Sequence, residues 1–341
     1  MNLKITISDI ARELNTTPAT VSRALSNHKS ISEKTKKNVH ETAIRLNYTR
    51  NNIASSLRKG SSGLIGVIIP SAEINFFGSV VHGIEGIANQ NGYNILMYQS
   101  NENYESEIQG IDTFLSARVD GILVSIAKNT TNFSHFLTAK NANVPIVFFD
   151  RSNDEIGIHS VVIDDYKGAY IATEHLIEQG YQRIAHISGP RHLKIFNDRL
   201  RGYLDALLAN NIEIDKTLIY TGNVSIEAGK EGINYFLSMN FPPDAVFAVE
   251  DFTALGAIKA LKENKISVPE QFGVIGFANE SFGEHITPTL STIDQQTVQM
   301  GKLAFTQLEN IINNVPEILI EQKMVLEPIA IFRESSQRKT H

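Results

Sequence analysis

Hydrophobic residues follow two different spacings along this chain. Up to residue 48 they recur three and four apart, the spacing of one helix face. Ile7, Ile10, Ala11 and Leu14 form one such stripe. Val21, Ala24 and Leu25 form a second, and Val39, Ala43, Ile44 and Leu46 a third. Beyond residue 62, short unbroken apolar runs alternate with longer amphipathic stretches. The runs at 64–70, 94–98, 121–125, 145–149, 161–163, 184–187, 245–249 and 272–276 predict strands buried on both faces. Between them, 77–90 reads as a helix with Phe77, Val80, Val81, Ile84, Ile87 and Ala88 on one side and Gly92 at its end. Such alternation predicts parallel α/β sheets, and eight or more strands predict two of them.

The first 48 residues carry explicit helix punctuation. A helix over 8–14 leads into a turn at Asn15-Thr16, where Asn accepts a left-handed backbone. Thr17 then offers a hydroxyl as N-cap, and Pro18 occupies the first helical position, where its missing N–H costs nothing. Ser32 caps a third helix, with Glu33 favourably placed against the helix dipole. Two short helices joined by a tight turn and crossed by a third make a helix-turn-helix. The second helix turns Ala19, Thr20, Ser22, Arg23 and Ser26 away from its apolar stripe. Hydroxyls can reach phosphates or base edges, an Ala methyl can meet thymine, and Arg can pair with guanine.

Charge sharpens this reading. Residues 1–60 hold 11 Lys and Arg against 4 Asp and Glu, a net +7, while the remainder holds 20 against 33, a net −13. A basic head on an acidic body points to a polyanion partner for the head alone. Lys29, Lys34, Lys36 and Lys37 are placed to meet phosphates. The chain of 341 residues has no cysteine, which excludes disulfides and thiolate metal sites. It shows no secretory leader and no apolar run near the ~20 residues a membrane span needs. A cytoplasmic protein is expected.

Thr6-Ile7-Ser8-Asp9-Ile10-Ala11, Thr17-Pro18-Ala19-Thr20-Val21-Ser22-Arg23-Ala24-Leu25 and Leu46-Asn47-Tyr48 occur in order and resemble the head of the LacI/GalR family of bacterial transcription regulators. Asn15 stands where that family usually has Gly. The resemblance covers essentially the whole chain. It implies an all-α helix-turn-helix head plus an α/β body of two parallel-sheet subdomains of the periplasmic-binding-protein type. The implied divisions are a head over 1–48, a hinge helix and linker over 49–62, an N-terminal subdomain over 63–163 with 294–326, and a C-terminal subdomain over 164–293 with 327–341. The implied crossovers lie near Asp164, Ile293 and Leu326. Operator contacts are expected from Thr6, Ser8, Thr17, Pro18, Ala19, Thr20, Ser22, Arg23, Ser26, Thr35 and Tyr48, and from Asn51, Ala54 and Leu57 of the hinge. Seven or eight residues are too few for an isolated helix. The family likeness implies that the hinge folds when two copies meet on DNA, with Leu57 levered into the minor groove.

Effector residues in such sheets come from loops at the carboxyl ends of strands. Phe76, Phe77, Ser125, Asp150, Arg199, Glu250, Asp251, Asn279 and Gln295 are the candidates. Aromatic faces, carboxylates and one guanidinium suit a polyhydroxylated ring. Arg199 matches the family's cleft arginine within Gly189-Pro190 and Arg199-x-x-Gly202-Tyr203. Two departures count. Gly276-Phe277-Ala278-Asn279 lacks the acid the family often places after this strand, and Leu193 and Ile195 stand where purine-binding members use polar contacts. A sugar or sugar phosphate is the expected effector class. The strand after residue 64 is followed by no Gly-rich phosphate loop, no Gly-x-Ser-x-Gly elbow occurs, and the ten His form no zinc-type pair. No enzyme activity, cofactor or metal is expected. Asp150 and Asp251, carboxylates at strand ends, could equally cap the next helix. A free-standing solute-binding protein is the alternative from another class, disfavoured by the basic head. The tail over 334–341 has no leucine heptads for a tetramerising coil, so a homodimer is expected.

Leu57→Ala should weaken operator binding by a few kcal/mol, the scale of unstacking one base step. Operator bending that is undiminished in this variant would remove the wedge role.

Overall fold

The computed structural model describes residues 5–48, 61–316 and 322–338. They fall into two compact units, Met1–Ser62 and Gly63–His341. The hinge positions Asn51, Ala54 and Leu57 lie outside the described residues.

The head consists of α1 (Ile7–Glu13), α2 (Pro18–Leu25) and α3 (Glu33–Arg45). The Thr17 hydroxyl accepts the Thr20 N–H, and Ser32 caps α3 in the same way through Thr35. At the α1–α2 turn Asn15 takes a φ of 47°, the left-handed backbone that favours Gly or Asn. Ile10, Ala11, Val21, Ala24, Val39 and Ala43 form the core, flanked by Leu14, Leu25, Leu46 and Tyr48. Ile44 departs from the sequence expectation and is 75% exposed. It follows Ala43 on α3, so only one of the two neighbours can face the small core.

The body begins with β1 (Leu64–Ile69), α4 (Asn75–Gln90), β2 (Asn94–Gln99), α5 (Tyr104–Ala117), β3 (Gly121–Val124), α6 (Ser134–Asn141), β4 (Ile146–Phe149) and β5 (His159–Ile163). It continues with α7 (Asp165–Glu178), β6 (Ile184–Ser188), α8 (Lys194–Ala209), β7 (Ile219–Thr221), α9 (Ile226–Leu237), β8 (Ala245–Ala248), α10 (Asp251–Glu263), β9 (Gly273–Ile275), β10 (Thr292–Asp294), α11 (Thr297–Ile312), β11 (Lys323–Leu326) and β12 (Ile329–Ile331). One six-stranded sheet has the order β11-β5-β4-β3-β1-β2, and a second, four-stranded, has the order β7-β6-β8-β9. Both are parallel throughout. Between them β10 and β12 pair antiparallel, with Ile293 opposite Ala330. The chain therefore enters the second sheet after β5, returns after β10 and sends β11 back beside β5.

Four short strands escape the sequence pattern: β7, β10, β11 and β12 have three or four residues each and, unlike the equally short β3, β4, β8 and β9, are not buried throughout. The expectation of burial on both faces also fails for β2. It is an edge strand, and Leu96 and Met97 are exposed. The final described residues are more than a tail. The Val274 N–H donates to the Ser335 carbonyl, the Ser335 hydroxyl donates to the Val274 carbonyl, and the Ser291 N–H donates to the Ser335 hydroxyl oxygen.

Three helix pairs bring backbones into near contact. A Cβ on Gly83 of α4 would lie 2.2 Å from the Val298 carbonyl oxygen of α11, and one on Gly301 of α11 would lie 2.1 Å from that of Val80. Gly202 of α8 lies under Tyr166 of α7, and Gly229 and Gly256 meet reciprocally across α9 and α10. Gly256→Ala places a methyl 1.9 Å from the Ile226 carbonyl oxygen, so a loss of about 1–3 kcal/mol is expected by urea unfolding. Gly86→Ala meets nothing within 4 Å and should instead add about 0.5–1 kcal/mol. Equal effects at both sites would mean that close approach does not decide them.

Candidate functional site

Two regions gather the candidate residues. In the head, Thr6, Ser8, Thr17, Pro18, Ala19, Arg23 and Ser26 are exposed, and Thr20, Ser22, Thr35 and Tyr48 are half-buried. Several hydroxyls already have local duties. The Thr6 hydroxyl donates to Asp9 at 2.7 Å, and the Ser26 hydroxyl to the Ser22 carbonyl at 2.8 Å. Thr17 and Thr20 hydroxyls lie 3.0 Å apart, as a pair at the start of α2. These bonds fix rotamers while leaving oxygen lone pairs to accept. Arg23, Lys29 and Lys34 are exposed and have no acidic partner among the described residues. Lys36, Lys37 and Arg45 are paired with Glu33, Glu41 and Glu13. Tyr48 rests partly on the helical core, so its ring is held in place.

In the body, the loops at the carboxyl ends of both sheets face the crossovers. Arg199 of α8 is the centre of this region at 3% exposure. Its Nε and Nη2 each lie 2.8 Å from Asp165 Oδ1, its Nη1 donates to the Val249 carbonyl at 2.7 Å, and its Nη2 reaches Gln295 Oε1 at 3.4 Å. The guanidinium carbon stands 3.7 Å over the Phe277 ring. Asp165 is not among the effector candidates named from the sequence. Here it opens α7 and neutralises the arginine. Burial still pushes its carboxyl up to about 6, although Arg199 works against this.

Opposite, Asp150 follows β4 with a φ of 61° and accepts from the Ser125 hydroxyl at 3.1 Å. Burial raises its pKa, against the lowering effect of Arg151 and Arg199. Arg151 is held by Glu102 at 2.8 Å and lies 5.9 Å from the Phe77 ring centroid. Phe76 and Phe77 sit in the first turn of α4, edge to face with centroids 5.1 Å apart. The sequence pattern starts this helix at Phe77, whereas it begins two residues earlier, at Asn75, without a capping side chain of its own.

The carboxylates at 250–251 divide their roles. Glu250 caps α10 through the N–H groups of Phe252 and Thr253 and the Thr253 hydroxyl, and it remains half-buried. Asp251 is 0% exposed. Its Oδ1 accepts from the Thr292 hydroxyl and its Oδ2 from the Glu280 N–H, both at 2.7 Å. It thus straps the loop after β9 to β10. Asn279 donates to Asp294 at 3.2 Å and accepts from Arg333 at 3.2 Å. Ala278 carries a φ of 130° and Asn279 one of 57°. Strained backbone of this kind concentrates at functional loops. Glu280, which sequence reasoning missed, enters the same region at 4% exposure. Nothing in the local pattern marks it, since its position depends on how that strained loop turns. Among the described residues no group of three or more His, Asp or Glu could hold a metal ion.

Comparison with known proteins accords with both regions. A family profile described as "Bacterial regulatory proteins, lacI family" matches residues 6–51, and one described as "Periplasmic binding proteins and sugar binding domain of LacI family" matches residues 62–331. The transcriptional regulator RegA of Clostridium saccharobutylicum is 32% identical over 97% of this chain and 98% of its own. A transcriptional regulator CelR–cellobiose complex superposes with a TM-score of 0.74 at 26% identity, over 97% of this chain and 99% of that one. The lac repressor dimer bound to operator shares the fold, with a TM-score of 0.88 at 24% identity over 98% and 100% of the two chains.

Asp251 is pushed up to about 7 from an ordinary 3.8, chiefly by burial. The folded chain then keeps a proton that the unfolded chain releases near pH 4. Its contribution to stability is complete below about pH 4 and declines as pH rises towards 7. Asp251→Asn should flatten the fall in unfolding free energy between pH 4 and 7, measured by urea titration. An unchanged slope would assign that pH dependence to other groups.

Proposed function

Because the chain belongs to the LacI family of bacterial regulatory proteins, we propose that it acts as an effector-gated repressor of carbohydrate-utilisation genes. It is a DNA-binding transcriptional regulator with a separate effector-binding body, and not an enzyme. In the proposed working form two chains present their heads to the half-sites of a near-palindromic operator. A polyhydroxylated ligand occupies the region around Arg199, Asp150 and Gln295, with Phe76 and Phe77 against its C–H faces. The cellobiose carried by the CelR structure supports a sugar as the ligand class. Occupancy alters the lobes and, through the hinge at 49–62, the affinity for DNA. By linkage, DNA alters effector affinity by the same factor. No helix among the described residues is long and apolar enough to cross a membrane, and a role on DNA supports a cytoplasmic location.

The observation that carries this reading is the exposed, unpaired Arg23 on a capped α2 whose other side is sealed into the head core. Selection from a random duplex library at near-physiological salt should enrich a two-fold symmetric motif. Sugars that release or tighten the selected DNA then identify the effector. Arg23→Ala should lose about 1–3 kcal/mol at one symmetric base position and relax specificity there. A loss spread equally over all sequences would make Arg23 a phosphate contact.

A further inference from the structure

The body is tied across its cleft by a carboxylate that neither the sequence pattern nor the family likeness singles out. Helix α4 belongs to the lobe of the first sheet, and its N-cap position, Ile74, makes no side-chain capping bond. The Phe76 N–H is one of the donors a helix start leaves without an intrahelical partner. It donates to Glu280 Oε1 at 3.2 Å, and Glu280 follows β9 of the other lobe. The Asn75 side chain lies near this carboxylate and works against the rise of its pKa by burial. The Glu280 backbone is itself fixed, because its N–H donates to Asp251 Oδ2. A second tie runs from His192 Nε2–H, in the loop after β6, to the Lys128 carbonyl after β3, at 2.6 Å.

We propose that Glu280 is a cross-lobe latch: it caps α4 from the opposite lobe and holds the effector-free body closed. The crossovers restrain the lobes on one side, through the Asp164 N–H to the Leu326 carbonyl and the Gln296 side chain to the Glu327 carbonyl. Glu280 acts at the cleft, where the His192–Lys128 bond is the other tie described above. Opening breaks the cap and exposes an uncapped helix start together with a carboxylate now surrounded by the first turn. The closed state is thereby favoured without any ligand. An effector entering the cleft acts on an arrangement that is already latched, so its influence depends on whether it displaces Glu280 or leaves it in place. Asn75, Phe76 and Glu280 therefore join Arg199 among the residues through which occupancy is read.

The inference rests on the cleft reading above, but its test needs neither DNA nor effector, so failure of operator recognition would leave it standing. The chain has no native cysteine, which allows a clean spin-label pair at Asp112→Cys on α5 and Lys259→Cys on α10, both exposed. Inter-lobe distances are measured by pulsed electron spin resonance on the full chain. Glu280→Ala should shift the open-to-closed ratio roughly two- to thirty-fold towards open, the range for losing a helix cap. Glu280→Asp, one methylene too short to span the gap, should shift it in the same direction should the alanine variant fold poorly. Glu280→Gln keeps an acceptor oxygen and should retain the wild-type distribution. Superimposable distributions for wild type, Ala and Asp would overturn the latch. Opening by Gln as large as that by Ala would overturn it as well, because charge rather than capping would then hold the lobes.

Discussion

A guanidinium out of contact with water sets the terms for the rest of the body. Arg199 cannot shed its charge, and an unpaired buried cation is among the costliest features a fold can carry. Every group around it answers that demand. Asp165 supplies the opposite charge, the Val249 carbonyl and Gln295 take further donors, and Phe277 offers its ring face. Those partners come from α7, the end of β8, the return crossover and the loop after β9. One side chain thus records the relative positions of four segments. Displacing any of them leaves part of the guanidinium uncompensated.

The acids near this centre are held at a second cost. Asp150, Asp165, Glu250, Asp251 and Glu280 all have pKa values raised chiefly by burial. Most are bound into the frame: Glu250 caps α10, Asp251 straps the loop after β9, and Glu280 reaches the other lobe. Hydrogen bonds from N–H groups and hydroxyls partly offset the burial, as low-dielectric networks require. The result is a polar core between two apolar sheets. Among the described residues, the bonds from Phe76 to Glu280 and from His192 to Lys128 cross the cleft.

The head follows a different economy. Its core consists mostly of small and branched residues on three short helices, and caps at Thr17 and Ser32 define where α2 and α3 begin. Acidic side chains quench Arg12, Lys36, Lys37 and Arg45 within the head, while Arg23, Lys29 and Lys34 stay available. Net positive charge attracts DNA of any sequence, whereas a single exposed arginine on a fixed helix can discriminate bases. The head thus presents both kinds of positive charge within one small unit.

Local chemistry was enough to read much of this from the sequence. The caps, the turn at Asn15, the helical stripes of the head and the apolar runs of strands such as β1 and β4 all rest on near neighbours in the chain, which spacing records. The motifs at 6–11, 17–25 and 46–48 carried the family likeness, and Arg199 was singled out by what that likeness implies rather than by spacing. Other features depended on residues far apart in the chain. Ile44 points outward because a three-helix core has room for Ala43 alone. The strands β7, β10, β11 and β12 exist only because neighbours pair with them, and Ser335 is part of the second sheet's edge only once β9 is there to receive it. Asp251 looks in sequence like any acid at a helix start, and the strap to Thr292 and Glu280 appears when a strained loop at Ala278 and Asn279 folds back. Glu280 reaches Phe76 across 204 residues. Periodicity cannot carry such a contact, since it arises from the relative placement of two lobes and is decided by tertiary structure alone.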